Sequence, residues 1–120
     1  MRLIISGGRD YTNKAFVWFV LDYVHAERGI TLLIEGGARG VDRLGREWAI
    51  DRGVPYHTEK ADWEQFDKAA GAIRNRAMLK LGVDGVIAFP GNRGTRDMVK
   101  ASRQAKIPVY LPSFNFKPEE

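Results

Sequence analysis

The chain contains no cysteine, which removes disulfides, thiolate metal sites and cysteine nucleophiles together. Histidine is scarce as well: His25 and His57 stand alone, neither with a companion at metal-ligand spacing, so no metal site is expected. No stretch approaches the ~18 apolar residues that a membrane-spanning helix requires. The opening run Leu3-Ile4-Ile5 is stopped by Gly7-Gly8, too early for a secretory signal peptide. A dense basic run is also missing. The lysines and arginines are scattered and the net charge is +4, a balance that suits an anionic ligand without marking a nucleic-acid-binding arm. These absences lead to the expectation of a cytoplasmic protein with no membrane contact and no assigned cofactor.

What remains is an ordinary globular composition. The 120 residues are 44% hydrophobic and 28% charged, enough for one domain with its own core. Repeats, low-complexity tracts and interdomain linkers are lacking, so residues 1–112 are read as a single domain and 113–120 as a C-terminal tail.

Within that domain short apolar runs alternate with helical patterns. Leu3–Ile5, Thr31–Ile34, Val54–Thr58, Val86–Phe89 and Pro108–Leu111 read as strands, the third pushed to an outer position by Pro55. Helices are predicted over Asn13–Arg28, Gly40–Arg52, Ala72–Leu81 and Thr95–Ala105, with Ala61–Gly71 irregular. Wholly apolar strands between helices indicate a sheet buried on both faces. The predicted fold is therefore α/β: a single three-layer Rossmann-like domain with a mainly parallel sheet of about five strands.

Three glycine-rich turns punctuate this pattern: Ser6-Gly7-Gly8-Arg9-Asp10, Glu35-Gly36-Gly37-Ala38-Arg39-Gly40 and Pro90-Gly91-Asn92-Arg93-Gly94-Thr95. Each follows a strand and precedes a helix, where glycine lets backbone approach a ligand and free N–H groups favour anions. Turns at strand carboxyl ends share one edge of a parallel sheet, so they should meet at one pocket.

Candidate ligand contacts follow from that placement. Gly7, Gly8 and Arg9 come from the first turn, and Gly36, Gly37 and Arg39 from the second. Pro90, Gly91, Gly94 and Thr95 come from the third; amides there and the Thr95 hydroxyl suit a phosphate, or Thr95 merely caps a helix. Asp42 either accepts from a ribose hydroxyl or simply favours its helix N-terminus. Arg74 and Asn75 open the third helix, and arginine forks phosphate. Arg76, two residues from Arg74, cannot share its face and is read as a bridge between elements or subunits. Tyr11 is either a base-stacking or a core aromatic; Trp63 reads as a loop-anchoring core residue ahead of a base platform, and Asp62 as orienting an arginine or touching the ligand. No catalytic residue is assigned, Glu35 being the best placed carboxylate beside the turns.

The residues Gly7-Gly8-Arg9-Asp10-Tyr11, Gly36 through Asp42, Asp62-Trp63, Arg74-Asn75-Arg76 and Ala88-Phe89-Pro90-Gly91 through Gly94-Thr95 resemble the SLOG superfamily, most closely its YspA (YpsA-related) family. Gly36–Asp42 and Arg74–Arg76 are also similar to DNA-processing protein A, which binds single-stranded DNA. Pro90-Gly91-x-x-Gly94-Thr95 resembles the LOG phosphoribohydrolases, whose pattern Pro-Gly-Gly-x-Gly-Thr-x-x-Glu ends on a catalytic glutamate. Here Asn92 takes the third place and Met98 the last, and a thioether transfers no proton. The resemblance implies binding, with sensing or processing, of a nucleotide or nucleotide-derived phosphate ligand. Two alternatives stay open: a hydrolase cleaving an N-glycosidic or phosphate bond of a nucleotide, and a single-stranded nucleic-acid binder.

The first predicted helix is apolar around a broad arc: Phe16, Val17, Phe19, Val20, Leu21, Tyr23 and Val24. One sheet face needs a narrower stripe, so the surplus predicts a homodimer or larger homo-oligomer, unless Phe114 and Phe116 cover it.

Overall fold

The computed structural model describes residues 1–112. The strands are β1 (Arg2–Ser6), β2 (Leu32–Glu35), β3 (Tyr56–Thr58), β4 (Gly85–Ala88) and β5 (Val109–Tyr110). Helices α1 (Lys14–Arg28), α2 (Val41–Arg52), α3 (Trp63–Phe66), α4 (Ala70–Leu79) and α5 (Arg93–Gln104) alternate with them. The strands form one sheet in the order β3-β2-β1-β4-β5, and every pairing is parallel. The α/β, Rossmann-like expectation holds.

Alternation within β1 explains the two cores. Successive strand residues point to opposite faces. Leu3 and Ile5 therefore join Val17 and Leu21 of α1 and Val41 and Trp48 of α2, while Ile4 joins Met78 of α4 and Met98 of α5. Trp48 is wholly buried, and its indole N–H donates to Asp22 on α1 at 2.8 Å, so the two helices on that face are tied as well as packed. The short strands β3 and β5 lie at the edges, as Pro55 predicted for the former.

The strand order places the site. From β1 the chain steps to β2 and β3 on one side, then returns to β4 on the other. Loops leaving β1 and β4 diverge there, opening a crevice at the sheet's carboxyl edge.

Two local expectations fail. Ala61–Gly71 is not irregular: α3 fills Trp63–Phe66, a 3₁₀ turn Asp67–Ala69, and α4 begins at Ala70. Asp62 starts this run by accepting from the Gln65 amide at 3.1 Å, an N-cap rather than an orienter of arginine. Gly71 lies inside α4, where glycine costs a helix only about 1 kcal/mol, and the edge of the Trp63 ring lies beside it. The last helix starts at Arg93 with Asn92 at its N-cap, so Thr95 lies inside its first turn and is not the cap.

On α1, Val17, Val20 and Leu21 are buried, yet Phe19 and Tyr23 are 58% and 61% exposed. The described residues leave that surplus uncovered. Phe114 and Phe116, the alternative cover, lie outside them. No helix among the described residues is long and apolar enough to cross a membrane.

Candidate functional site

The three glycine turns are stitched to one another through the backbone. The Gly8 amide donates to the Pro90 carbonyl at 2.9 Å, and the Gly8 carbonyl accepts from the Val41 amide at 3.2 Å. Two glycines make this possible. Gly40 has φ +76°, and a Cβ there would come within 2.1 Å of the Gly8 oxygen. A Cβ on Gly91 would fall 2.1 Å from Thr95 Oγ1 and 2.8 Å from the Gly8 nitrogen. All three distances are inside van der Waals contact.

The turns enclose a cleft of about 330 Å³ at the switch point, within the range of small-ligand sites. Gly7, Arg9, Asp42, Arg74, Asn75, Gly94 and Thr95 line it. Gly36, Gly37 and Arg39 line a second hollow of about 470 Å³ instead. Arg9, Ala38, Trp63 and Arg74 border both. Pro90 and Gly91 face neither; they belong to a larger groove of about 760 Å³ along α5, which Thr95 also borders. Gly8 lines none of the three, its N–H and C=O being spent on the seam. The predicted set thus shares one edge but is divided among adjoining hollows. The groove is larger, but the cleft holds Arg9 and Arg74 and sits where the loops diverge.

Helix starts reinforce the cleft's positive character. Side chains cap α1 and α3, through Asn13 and Asp62. Of the helices that begin at the cleft, α4 continues from the 3₁₀ turn before it, and neither α2 nor α5 has a side-chain cap. The Val41 amide at the start of α2 is already bonded to Gly8, so it is the first amides of α5 that keep the partial positive charge a bound anion offsets.

Asp42 shapes the second turn. Its Oδ2 accepts from the amides of Gly36 at 3.1 Å and Ala38 at 3.2 Å. Burial pushes its carboxyl up to about 6, with Glu35 adding to the rise and the two amides and Arg74 opposing it. Among the described residues Oδ1 takes no protein hydrogen bond, and because no described side-chain polar atom is both buried and unpartnered, it is not sealed from the cleft.

Arg74 and Asn75 divide their labour. Arg74 donates from Nη1 to the Gly36 carbonyl at 2.6 Å and from Nε to Asn75 Oδ1 at 3.1 Å. Burial, with help from nearby Arg9, pushes its guanidinium below the ordinary arginine range, while Asp42 pulls it back. Asn75 is buried and donates to the Gly94 carbonyl at 3.2 Å and to Asp97 Oδ2 at 2.9 Å. It is a strut under the α5 start. Arg76 bridges elements, reaching Asp97 at 3.0 Å. Burial raises the Asp97 carboxyl, but Arg76 and Asn75 more than offset this and hold it below its usual value.

Several side chains prove structural. Glu35 is wholly buried, accepts from the Gly37 amide at 2.6 Å and from the Thr58 hydroxyl, and lies 3.7 Å from Arg46. It borders neither hollow. Arg39 pairs with Asp10 at 3.2 Å between exposed side chains, a contact worth little. Tyr11 packs on the Phe89 ring at 5.8 Å, joining the core beneath its loop. Met98 is buried with Ile4, Ile34 and Val86, so the position of the LOG glutamate faces the core. Trp63 corrects the reading as a core anchor: it is 48% exposed.

Comparison with known proteins follows this geometry. A family model described as "YspA, cpYpsA-related SLOG family" matches residues 1–66, a span that includes the first two glycine turns and Trp63. The "Gene 61 protein" of Mycobacterium phage D29 is 35% identical over 125 residues, covering 98% of each chain. No solved structure matches.

Proposed function

Because the chain belongs to the YspA, cpYpsA-related SLOG family, we propose that its switch-point cleft binds a nucleotide-derived small molecule through a phosphate. The observation that carries this reading is the convergence of Arg9, Arg74 and the uncapped start of α5 on one cleft of about 330 Å³. The Gly94–Thr95 amides and the Thr95 hydroxyl suit the phosphate oxygens. Arg74 adds a charge whose burial makes pairing with an anion favourable, and Asp42 Oδ1 is placed to accept from a ribose hydroxyl. Thermal unfolding with AMP, ADP, ADP-ribose and cyclic nucleotides tests the proposal. A ligand at about 100 times its Kd adds about 2.7 kcal/mol to stability. No shift with any of them, in wild type as in Arg74→Ala, overturns it.

One observation supports turnover as a second reading. Asp42, with its carboxyl raised to about 6 and an oxygen open to the cleft, has the proton affinity of a general acid or base working near neutrality. Glu35 and Met98 supply none. Incubation with nucleoside monophosphates, followed by chromatography for free base, decides this. Release that disappears in Asp42→Asn, which keeps an oxygen for the Gly36 and Ala38 amides, supports turnover; no release rejects it for these substrates.

A further inference from the structure

Trp63 is held firmly yet left half uncovered. The Asp62 cap fixes its backbone at the first position of α3. The edge of its ring lies over Gly71, where an added Cβ would touch Cη2 at 3.5 Å, so α4 passes close against the indole. Even so, 48% of the residue remains accessible. An indole pinned in this way has little rotamer freedom left to lose on binding, and its exposed ring repays cover by another apolar surface.

Its position is specific. Trp63 borders both the cleft and the second hollow, standing at the passage between them. Phe66 and Ile73 are also exposed, but neither borders either hollow, so the indole is not simply part of an apolar face. Across the passage lies Arg9, its guanidinium carbon 5.5 Å from the indole centroid. Among the described residues Arg9 makes no hydrogen bond or ion pair, so the contact with the indole is what holds its guanidinium there.

We propose that Trp63 is the base-recognition residue of this site: a heterocyclic base stacks on its indole at the passage, with Arg9 closing over the outer face. This rests on the nucleotide reading of the cleft and narrows it. The ligand carries both a phosphate, held at the start of α5, and an aromatic base, held on Trp63. A base between indole and guanidinium needs about 3.5 Å on each side, more than the present 5.5 Å allows in total. Arg9 therefore swings outward on binding, exchanging its contact with the indole for one with the base. Stacking reads the π-face and not a hydrogen-bond pattern, so purines bind better than pyrimidines by area alone.

Isothermal titration of the full chain with AMP, GMP, CMP, UMP and ribose 5-phosphate tests this in wild type, Trp63→Phe and Trp63→Ala. Ribose 5-phosphate keeps the phosphate and sugar and lacks the base. The expected result is that Trp63→Ala weakens the best-bound nucleotide about 5- to 100-fold and leaves ribose 5-phosphate within about twofold. Trp63→Phe, which keeps an aromatic face, retains most of the nucleotide affinity. Nucleotide binding that Trp63→Ala leaves intact, or weakens no more than ribose 5-phosphate binding, overturns the proposal while the phosphate site stands. If wild type binds none of the five, this inference is overturned, and the nucleotide reading falls with it when ADP, ADP-ribose and cyclic nucleotides also give no thermal shift.

Discussion

The Nη1 of Arg74 donates to the carbonyl of Gly36 at 2.6 Å across 38 residues of sequence. This bond fastens α4 to the second glycine turn and brings a guanidinium into the wall that the two hollows share. Arg74 thus has two tasks, closing the loop and presenting charge. Replacing it by alanine is expected to remove ligand-induced stabilisation and to cost about 1–3 kcal/mol of unfolding free energy, the range for a charged hydrogen bond. Lysine should restore part of the charge effect but not the fork. Urea unfolding with and without ADP-ribose separates the two losses.

Asp42 makes stability depend on pH in an unusual direction for a carboxylate. Its folded value of about 6 lies above the ordinary 3.8, so the folded state binds the proton more tightly than the unfolded state. The resulting stabilisation is fully present below pH ~4 and is lost as pH rises through ~6, about 3 kcal/mol at most. Asp42→Asn removes this dependence. Subtracting its unfolding free energies from wild-type values at pH 4, 5, 6 and 7 should give a difference that falls with pH and then levels. A difference that rises would show that the carboxyl is not raised.

Writing the missing glutamate of the LOG pattern into this chain should fail. Met98 is wholly buried among Ile4, Ile34, Met78 and Val86, where an unpaired carboxylate costs several kcal/mol. Met98→Glu is expected to lower the melting temperature by more than about 10 °C without releasing base from nucleoside monophosphates. A stable, hydrolytic variant would show that this position can reach the cleft.

Gly91 and Gly94 should respond differently to the same change. In Gly91→Ala the new methyl meets Thr95 Oγ1 and the Gly8 amide, so the seam between the first and third turns must open, at about 1–3 kcal/mol, and ligand binding weakens with it. A Cβ on Gly94 meets nothing within 4 Å, and alanine suits a helical position better than glycine by up to about 1 kcal/mol. Melting curves of the two variants should move in opposite directions.

The uncovered part of α1 makes a separate prediction. Phe19 and Tyr23 are one turn apart on the same face and more than half exposed. We propose that this face pairs two copies of the chain. Sedimentation should show a dimer that the double change Phe19→Glu, Tyr23→Glu converts to a monomer; a monomeric wild type would refute it.

The strands and their order along the chain were open to reading because a buried parallel strand announces itself as an unbroken apolar run, as Leu3-Ile4-Ile5 does. Helices were legible where a periodic stripe ended on glycine, as at Gly29 and Gly53. That the glycine turns share one edge followed from the same logic, since each leaves the carboxyl end of a strand. Such inferences need only local pattern and the handedness of crossovers. Which side chains reach the ligand did not follow, because that depends on who fills the space between elements far apart in sequence. Asn75 looked like a ligand contact until Gly94 and Asp97 were seen to occupy its amide. Glu35 reads from its turn as either a carboxylate for catalysis or a structural group, and the contacts of Thr58 and Arg46 make it structural. Trp63, a large aromatic that a globular core readily takes in, is held at the surface by the Asp62 cap and the close passage of α4 at Gly71. Local composition determined the scaffold and the edge where chemistry gathers; competition for contacts among remote residues decided which groups on that edge stay free.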